Sequence, residues 1–253
     1  MREDSKQVAE DQTEDFTFTL SDDEIRDVAN AVHAQDADTV HAVLDELNPA
    51  DTAELISKVD GADRNELIAM YGEAISPEVF TELDPELART LLSNMPPQQI
   101  AEIISDLDSD DALDLIIALD DDLQKEIIHK LSAKTRVALE EGLSFPEESA
   151  GRLMQREIVA VPMFWTAGKT IDYIRAATTD LPADFFDVFV IDPSYHVKGQ
   201  VSLSRLVRVK RSEKLENLVS ETNYPIPANM DQEEVAHLFR RDNILSAPVV
   251  DEK

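Results

Sequence analysis

No cysteine occurs among the 253 residues. Disulfides, zinc thiolate sites and cysteine nucleophiles are therefore excluded, and the zero count suits a reducing compartment. No apolar run approaches the ~18 residues that a membrane span needs, and Met1-Arg2-Glu3-Asp4 has neither the basic nor the apolar region of a signal peptide. Only six glycines are present, and none belongs to a phosphate-cradling loop. The histidines, His33, His41, His129, His196 and His237, fall at no metal-ligand spacing. These absences predict a soluble cytosolic chain that is not an enzyme.

Positive charge is scarce in the first part of the chain. Residues 1–143 hold 36 Asp and Glu against 10 Lys and Arg, whereas residues 144–253 hold 17 against 13. A region of net charge −26 repels nucleic acid and anionic membrane surfaces and attracts cations or basic partners. Generic solubility or a halophilic source are the alternatives, although a halophile would spread its acidity over both parts. A basic cluster, Arg205, Arg208, Lys210, Arg211 and Lys214, offers a partner to the acidic region or to a second subunit. No nucleic-acid partner is expected.

What the chain has in abundance is a twelve-residue period. Stepping by twelve from Leu47 reaches Val59, Tyr71, Leu83, Met95, Leu107, Leu119 and Leu131. A second apolar pair follows eight and nine residues after each rung, from Leu55-Ile56 to Ile127-Ile128. Helix-starting residues stand after most rungs: Asn48, Asp60, Asp84, Asp108, Asp120 and Ser132. Pro49, Pro85 and Pro97 fall in first helical turns, where a missing N–H costs nothing. Each unit therefore reads as a helix of about nine residues and roughly 13 Å plus a short turn. Helices this short are marginal alone, so stacking into a helical solenoid is expected.

In chain order, residues 1–19 read as a disordered acidic tail, and residues 20–143 as the helical repeat domain. The latter opens with the capping box Ser21-Asp22-Asp23-Glu24. The junction around residues 144–149 is expected to let the flanking domains swing. Residues 144–211 read as a strand, helix, hairpin, helix module, with strands at Ile158–Val161, Val188–Ile191 and Val197–Leu203 and helices at Thr170–Thr178 and Ser204–Val207. Residues 212–253 begin a second copy: a helix at Leu215–Val219, a strand at Tyr224–Pro227, a helix at Asp231–Arg240 and a strand at Ala247–Val250. Its returning strand and last helix are missing, so the chain is expected to be cut from a longer protein.

Acids recur seven residues after the rungs, at Glu54, Glu66, Glu78, Glu102, Asp114 and Glu126, and predict a column of carboxylates. Asp106, Asp108, Asp110, Asp111 and Asp114 concentrate five acids in nine residues. Magnesium keeps several waters and needs only one or two carboxylates per site, so scattered acids across an interface suit it. Helix capping by Asp108 and Asp111, and a plainly solvated face for Glu78 and Asp114, remain open.

Tandem modules of this kind resemble CBS domains. A helical solenoid followed by Ala150-Gly151-Arg152-Leu153-Met154 and such a pair resembles the cytosolic half of the MgtE magnesium transporter and channel family, over about residues 35–253. The segments Asp231-Gln232-Glu233-Glu234-Val235-Ala236 and Pro248-Val249-Val250-Asp251-Glu252 carry the resemblance most closely. It implies a multidomain, mainly α fold: a right-handed superhelix of short helices followed by an α/β CBS pair, the second incomplete. It further implies a homodimeric Mg2+ sensor, paired through the CBS domains, at the cytoplasmic side of the membrane. Its metal-bound form would hold closed a C-terminal transmembrane pore that lies outside this chain. The metal positions the resemblance implies are Glu78, Asp110 and Asp114 on the solenoid and Asp231, Glu233 and Asp242 on the second module. Asn243 stands beside Asp242 where an acid would be expected. Nucleotide-binding CBS modules carry a ribose-holding acid where this chain has Arg205, so ATP is expected to bind weakly if at all. An adenine-nucleotide sensor and an acidic scaffold for a basic protein are the rival readings.

Overall fold

The computed structural model describes residues 20–177, 181–182, 184–219 and 225–251, apart from the side chains of Asp22 and Glu73. The acidic tail, the end of the expected helix at Thr178 and the start of the expected strand at Tyr224 lie outside the described residues. The described residues fall into two compact units, divided between Ile75 and Ser76.

The first unit is helical: α1 (Asp22–His33), α2 (Ala37–Leu44), α3 (Pro49–Lys58) and α4 (Gly61–Tyr71), with a 3-10 turn at Gly72–Ala74. The capping box at Ser21 forms, each of Ser21 and Glu24 accepting from the other's backbone. Asn48 accepts from Asp51 N to start α3, with Pro49 in the first turn. Arg64, one turn into α4, closes the preceding helix by donating to the carbonyls of Ile56 (2.7 Å), Ser57 (3.1 Å) and Val59 (2.8 Å).

The second unit continues the helices: α5 (Val79–Glu82), α6 (Pro85–Ser93), α7 (Pro97–Asp106), α8 (Ser109–Ala118), α9 (Asp121–Lys130), α10 (Ala133–Ser144) and α11 (Ala150–Leu153). The period was legible because it is a burial period. Val59, Tyr71, Leu83, Met95, Leu119 and Leu131 are buried, as is every member of the apolar pairs except Ile128. One unit departs from the expected nine-residue helix. After Tyr71 the chain turns at Gly72, whose φ of +40° is a conformation L side chains disfavour. Helix resumes only at Val79, for four residues.

An α/β layer follows: β1 (Ala160–Pro162), α12 (Ala167–Ala176), β2 (Asp187–Ile191), β3 (Val197–Ser202) and α13 (Leu203–Arg208). β1 pairs parallel with β2, and β2 antiparallel with β3. Val161, Val188, Val190, Val201, Leu206 and Leu215 form its core. Then come a 3-10 turn at Leu215–Asn217, β4 (Ile226–Pro227), α14 (Gln232–Asp242) and β5 (Val249–Val250). β4 and β5 pair parallel. The segment expected as a helix at 215–219 is therefore a single 3-10 turn, because Leu215 and Leu218 are drawn into the first module's core.

The expected fold class, mainly helical with a small mixed α/β part, is the one observed. The junction at 144–149, by contrast, is bonded on both sides. Arg152 donates to Leu143 O (3.2 Å) and Phe145 O (2.9 Å), satisfying the last carbonyls of α10. On the other side Ala150 N donates to Met230 O, Gly151 N to Ala228 O and Gln232 N to Glu148 O, all at 2.7–2.8 Å. A Cβ at Gly151 would meet the Phe145 ring at 2.7 Å, so the close approach requires glycine.

Candidate functional site

The acids concentrate around the start of α8. Asp110 and Asp114 are four residues apart and share one face of that helix. Glu78, just before α5, lies close enough to raise Asp108 and Asp111, and Glu82 also raises Asp111. All four aspartates of the group are held above the ordinary carboxylate range. Partial desolvation is the main cause for each of Asp108, Asp110, Asp111 and Asp114, although Asp108 and Asp114 remain exposed and Asp110 and Asp111 are half-buried. Neighbouring charge follows: Glu157 and Asp110 on Asp108, and Asp108 and Asp114 on Asp111. For Asp110 the N–H groups of Asp110 and Asp111 at the helix start work in the opposite direction.

No Lys or Arg offsets this charge: among the described residues, none of the four aspartates forms an ion pair. Asp110 Oδ1 is buried without a hydrogen-bond partner. Asp108 holds the N-cap position of α8, yet its side chain makes no capping bond. It accepts from Gln155 Nε2 at 2.7 Å instead. Capping therefore does not account for Asp108. Among the described residues no three acids or histidines converge tightly enough to enclose a bare metal ion. A cation held here would keep much of its water shell, as magnesium does.

The column of acids seven residues past the rungs divides. Glu54 pairs with Lys58 at 2.6 Å and Glu126 with Lys130 at 3.8 Å, and Gln98 donates to Glu102 at 3.0 Å. Glu78 accepts from Ser76 Oγ.

Of the three acids of the second module, Asp231 stands just before α14 and Glu233 and Asp242 lie on it. Asp231 caps it, accepting from Glu233 N at 2.8 Å, and both are exposed at its start. Asp242 closes the helix and pairs with Arg241 at 2.7 Å. Eleven residues at 1.5 Å each separate Asp242 from Asp231 by about 16 Å, so these acids do not form one site. Glu82 and Glu157 are cluster members that were not singled out from sequence, and Asp111 was noted in the acid run but not as a metal position. The acid run contained the signal for Asp111, but nothing local marks Glu157.

Beside the cluster a cleft of about 1150 Å³ opens between the two α/β modules. Ile158, Phe185 and Phe189 line one wall, Val235, Phe239 and Pro248 the other, and Asp110 its edge. Asp187 joins the modules by accepting from Ser246 Oγ (2.6 Å), and Gln200 of its own module donates both to Asp187 (3.1 Å) and to Ser246 O (3.3 Å). Arg205 does not line this cleft: its N–H is donated to the Ser202 cap of α13.

Residues 47–148 match the sequence model of the MgtE intracellular N domain. The magnesium transporter MgtE of Thermus thermophilus is 30% identical over 230 residues, 88% of this chain and 50% of that protein. The chain is thus similar to MgtE proteins along most of its length, and its residues 47–148 match the family's intracellular N domain. It spans about half the length of that relative. The Bacillus subtilis MgtE is 27% identical over 125 residues, 49% of this chain and 28% of that protein. Among solved structures, the cytosolic domain of the Mg2+ channel MgtE in complex with ATP superposes with a TM-score of 0.82 at 27% identity, covering 90% of this chain and 93% of that one. The soluble part of a magnesium transporter shares the fold, with a TM-score of 0.79 at 22% identity over 90% of each chain. No helix among the described residues is long and apolar enough to cross a membrane.

Proposed function

We propose that this chain is the cytosolic Mg2+-sensing region of an MgtE magnesium transporter or channel, acting as a gating module and not as an enzyme. In this reading it pairs as a homodimer through its α/β modules on the cytoplasmic side of the membrane. Mg2+ held by the α8 carboxylates favours the closed pore. The supporting observation is the group Asp108, Asp110, Asp111 and Asp114, all raised by partial desolvation and the first three also by neighbouring acids, with no ion pair among the described residues to offset them. Two carboxylates 4 Å apart repel by about 1 kcal/mol in water and by more where water is excluded. A divalent ion removes that repulsion and adds coordination. Glu78, Asp110 and Asp114 belong to this group; Asp231, Glu233 and Asp242 would serve as separate outer positions. Calorimetric titration of the purified chain with Mg2+ and Ca2+, with and without joint Asp110→Asn and Asp114→Asn, tests the reading. Unchanged Mg2+ affinity in the double variant would refute it.

The cleft supports a second reading, in which an adenine nucleotide also binds. Its aromatic walls suit a base, and a structural relative is described in complex with ATP. An acidic scaffold for a basic protein would be distinguished by binding that survives excess chelator.

A further inference from the structure

The second α/β module is attached at two separate places. At the start of α14 the junction forms backbone bonds: Ala150 N donates to Met230 O, Gly151 N to Ala228 O and Gln232 N to Glu148 O, and Ser149 is bridged to Asp231. Helix α11 packs there against α14 and β4. The second attachment comes after α14 has run its length, about 16 Å on, where two side chains of the first module hold Ser246. Its hydroxyl donates to Asp187 Oδ2 at 2.6 Å, and its carbonyl accepts from Gln200 Nε2 at 3.3 Å. Residues of both attachments, Ala150 and Gln232 as well as Asp187 and Ser246, line the cleft of about 1150 Å³.

Apolar packing does little to hold this module. Val188, Val190 and Val201 of the first module are buried, whereas among the described residues of α14 none is, and Val249 and Val250 of β5 are only half-buried. Phe186 and Leu245, next in sequence to Asp187 and Ser246, are 62% and 71% exposed, so they do not seal that end from water. Hydrogen bonds that water can replace contribute modestly. Side-chain bonds also break by a change of rotamer, while the backbone bonds at the junction break only if the chain itself moves. The end held by Asp187 and Gln200 is therefore the weaker one.

We propose that the second α/β module is a hinged wall of the cleft: it opens as a unit about the junction when the latch of Asp187, Gln200 and Ser246 releases, and this opening admits a ligand to the cleft. Entry of a ligand then follows the open population. The motion depends on neither the metal reading nor the nucleotide reading; only the use of ATP as a probe rests on the latter.

The full chain has no cysteine, so spin labels attached through Ser204→Cys on α13 and His237→Cys on α14, both exposed positions, report the distance between the modules by pulsed electron paramagnetic resonance. Losing one latch bond should raise the open population about fivefold, and losing both about 25-fold. A longer distance should therefore grow from the unmodified latch to Asp187→Ala and further in joint Asp187→Ala and Gln200→Ala. Asp187→Asn keeps an acceptor for the Ser246 hydroxyl and should stay near the unmodified distribution. Labels through Tyr195→Cys and Ser204→Cys, both in the first module, should keep one distance throughout. Amide exchange at Ile226 and Ala228, bonded within the second module, and at Ala150 and Gly151 of the junction should stay slow in the joint variant. With ATP as the probe, stopped-flow association should speed about fivefold in Asp187→Ala. An unchanged distance distribution in the joint variant, with its fold intact by circular dichroism, would overturn the hinge. Fast exchange at Ile226 and Ala228 would overturn it as well, because the module would then be unravelling and not swinging. A longer distance with an unchanged ATP association rate would overturn control of entry. If ATP does not bind the unmodified chain, the nucleotide reading fails, while the distance and exchange measurements still decide the hinge.

Discussion

Mg2+ should raise the thermal midpoint of the unit that contains the acid cluster, and protons should compete with it. Binding to the folded state alone stabilises by RT ln(1 + [L]/Kd), about 2.7 kcal/mol at a hundredfold excess over Kd. The unit runs from Ser76 to Lys253, a size at which each kcal/mol shifts the midpoint by about 2–4 °C. One saturated site should therefore add about 5–11 °C. Asp108, Asp110, Asp111 and Asp114 sit above their ordinary value of 3.8, so the folded state holds their protons more tightly than the unfolded state does. Their ionised forms lower stability at neutral pH, and that loss is relieved as pH falls through the raised values towards 3.8. Acidification should accordingly stabilise the metal-free unit through this cluster while shrinking the Mg2+ increment. Differential scanning calorimetry from pH 7.5 downwards, at about 10 mM MgCl2 against NaCl of equal ionic strength, reads both effects. Sodium screens only beyond a Debye length of about 8 Å at physiological strength. An equal rise in sodium, or an Mg2+ increment that grows on acidification, would refute the reasoning.

Three further outcomes are expected. Tyr71 is pushed up to about 12, first by burial and then by its hydrogen bond to Asp45 (2.9 Å). Its stabilisation is intact below pH 10 and lost as pH rises towards 12, so a spectrophotometric titration should show one late tyrosine that Tyr71→Phe removes. Phe80 is 1% exposed and anchors the four-residue helix α5; Phe80→Ala should cost about 3–5 kcal/mol in urea unfolding, and a loss below 1 kcal/mol would show that α5 is not held by its core contact. Because Arg205 lies outside the cleft, Arg205→Asp should leave ATP affinity unchanged by calorimetry, whereas Phe239→Ala should weaken it; a gain on Arg205→Asp would put the nucleotide elsewhere.

The twelve-residue ladder was legible because short helices need one buried face, and burial imposes its period directly on apolar residues such as Leu83, Leu92 and Ile116. Strand order in the first α/β module was readable for a similar reason: Val188 and Val190 must be buried, and the turn at Asp192–Tyr195 has its own chemistry. Departures had two causes: Gly72, with its positive φ, breaks one helical unit locally, whereas Leu215 and Leu218 join a core formed by residues far away in sequence, which reduces an expected helix to a single 3-10 turn.

Candidate acids show the same division. Local composition marked Asp108, Asp110 and Asp114, since five acids in nine residues stand out in any reading. Whether Asp108 caps its own helix could not be read from Asp108 and its neighbours, because the competing donor and acceptor, Gln155 and Glu157, lie 47 and 48 residues away. The resemblance also named Asp231 and Asp242 as candidates, and the rise of α14 sets them about 16 Å apart. The sequence by itself determined which side chains must be buried and where helices begin, because both follow from short-range spacing. Only the tertiary structure decided which charges meet, because electrostatic neighbours are set by distance in space and desolvation, and neither is encoded by position along the chain.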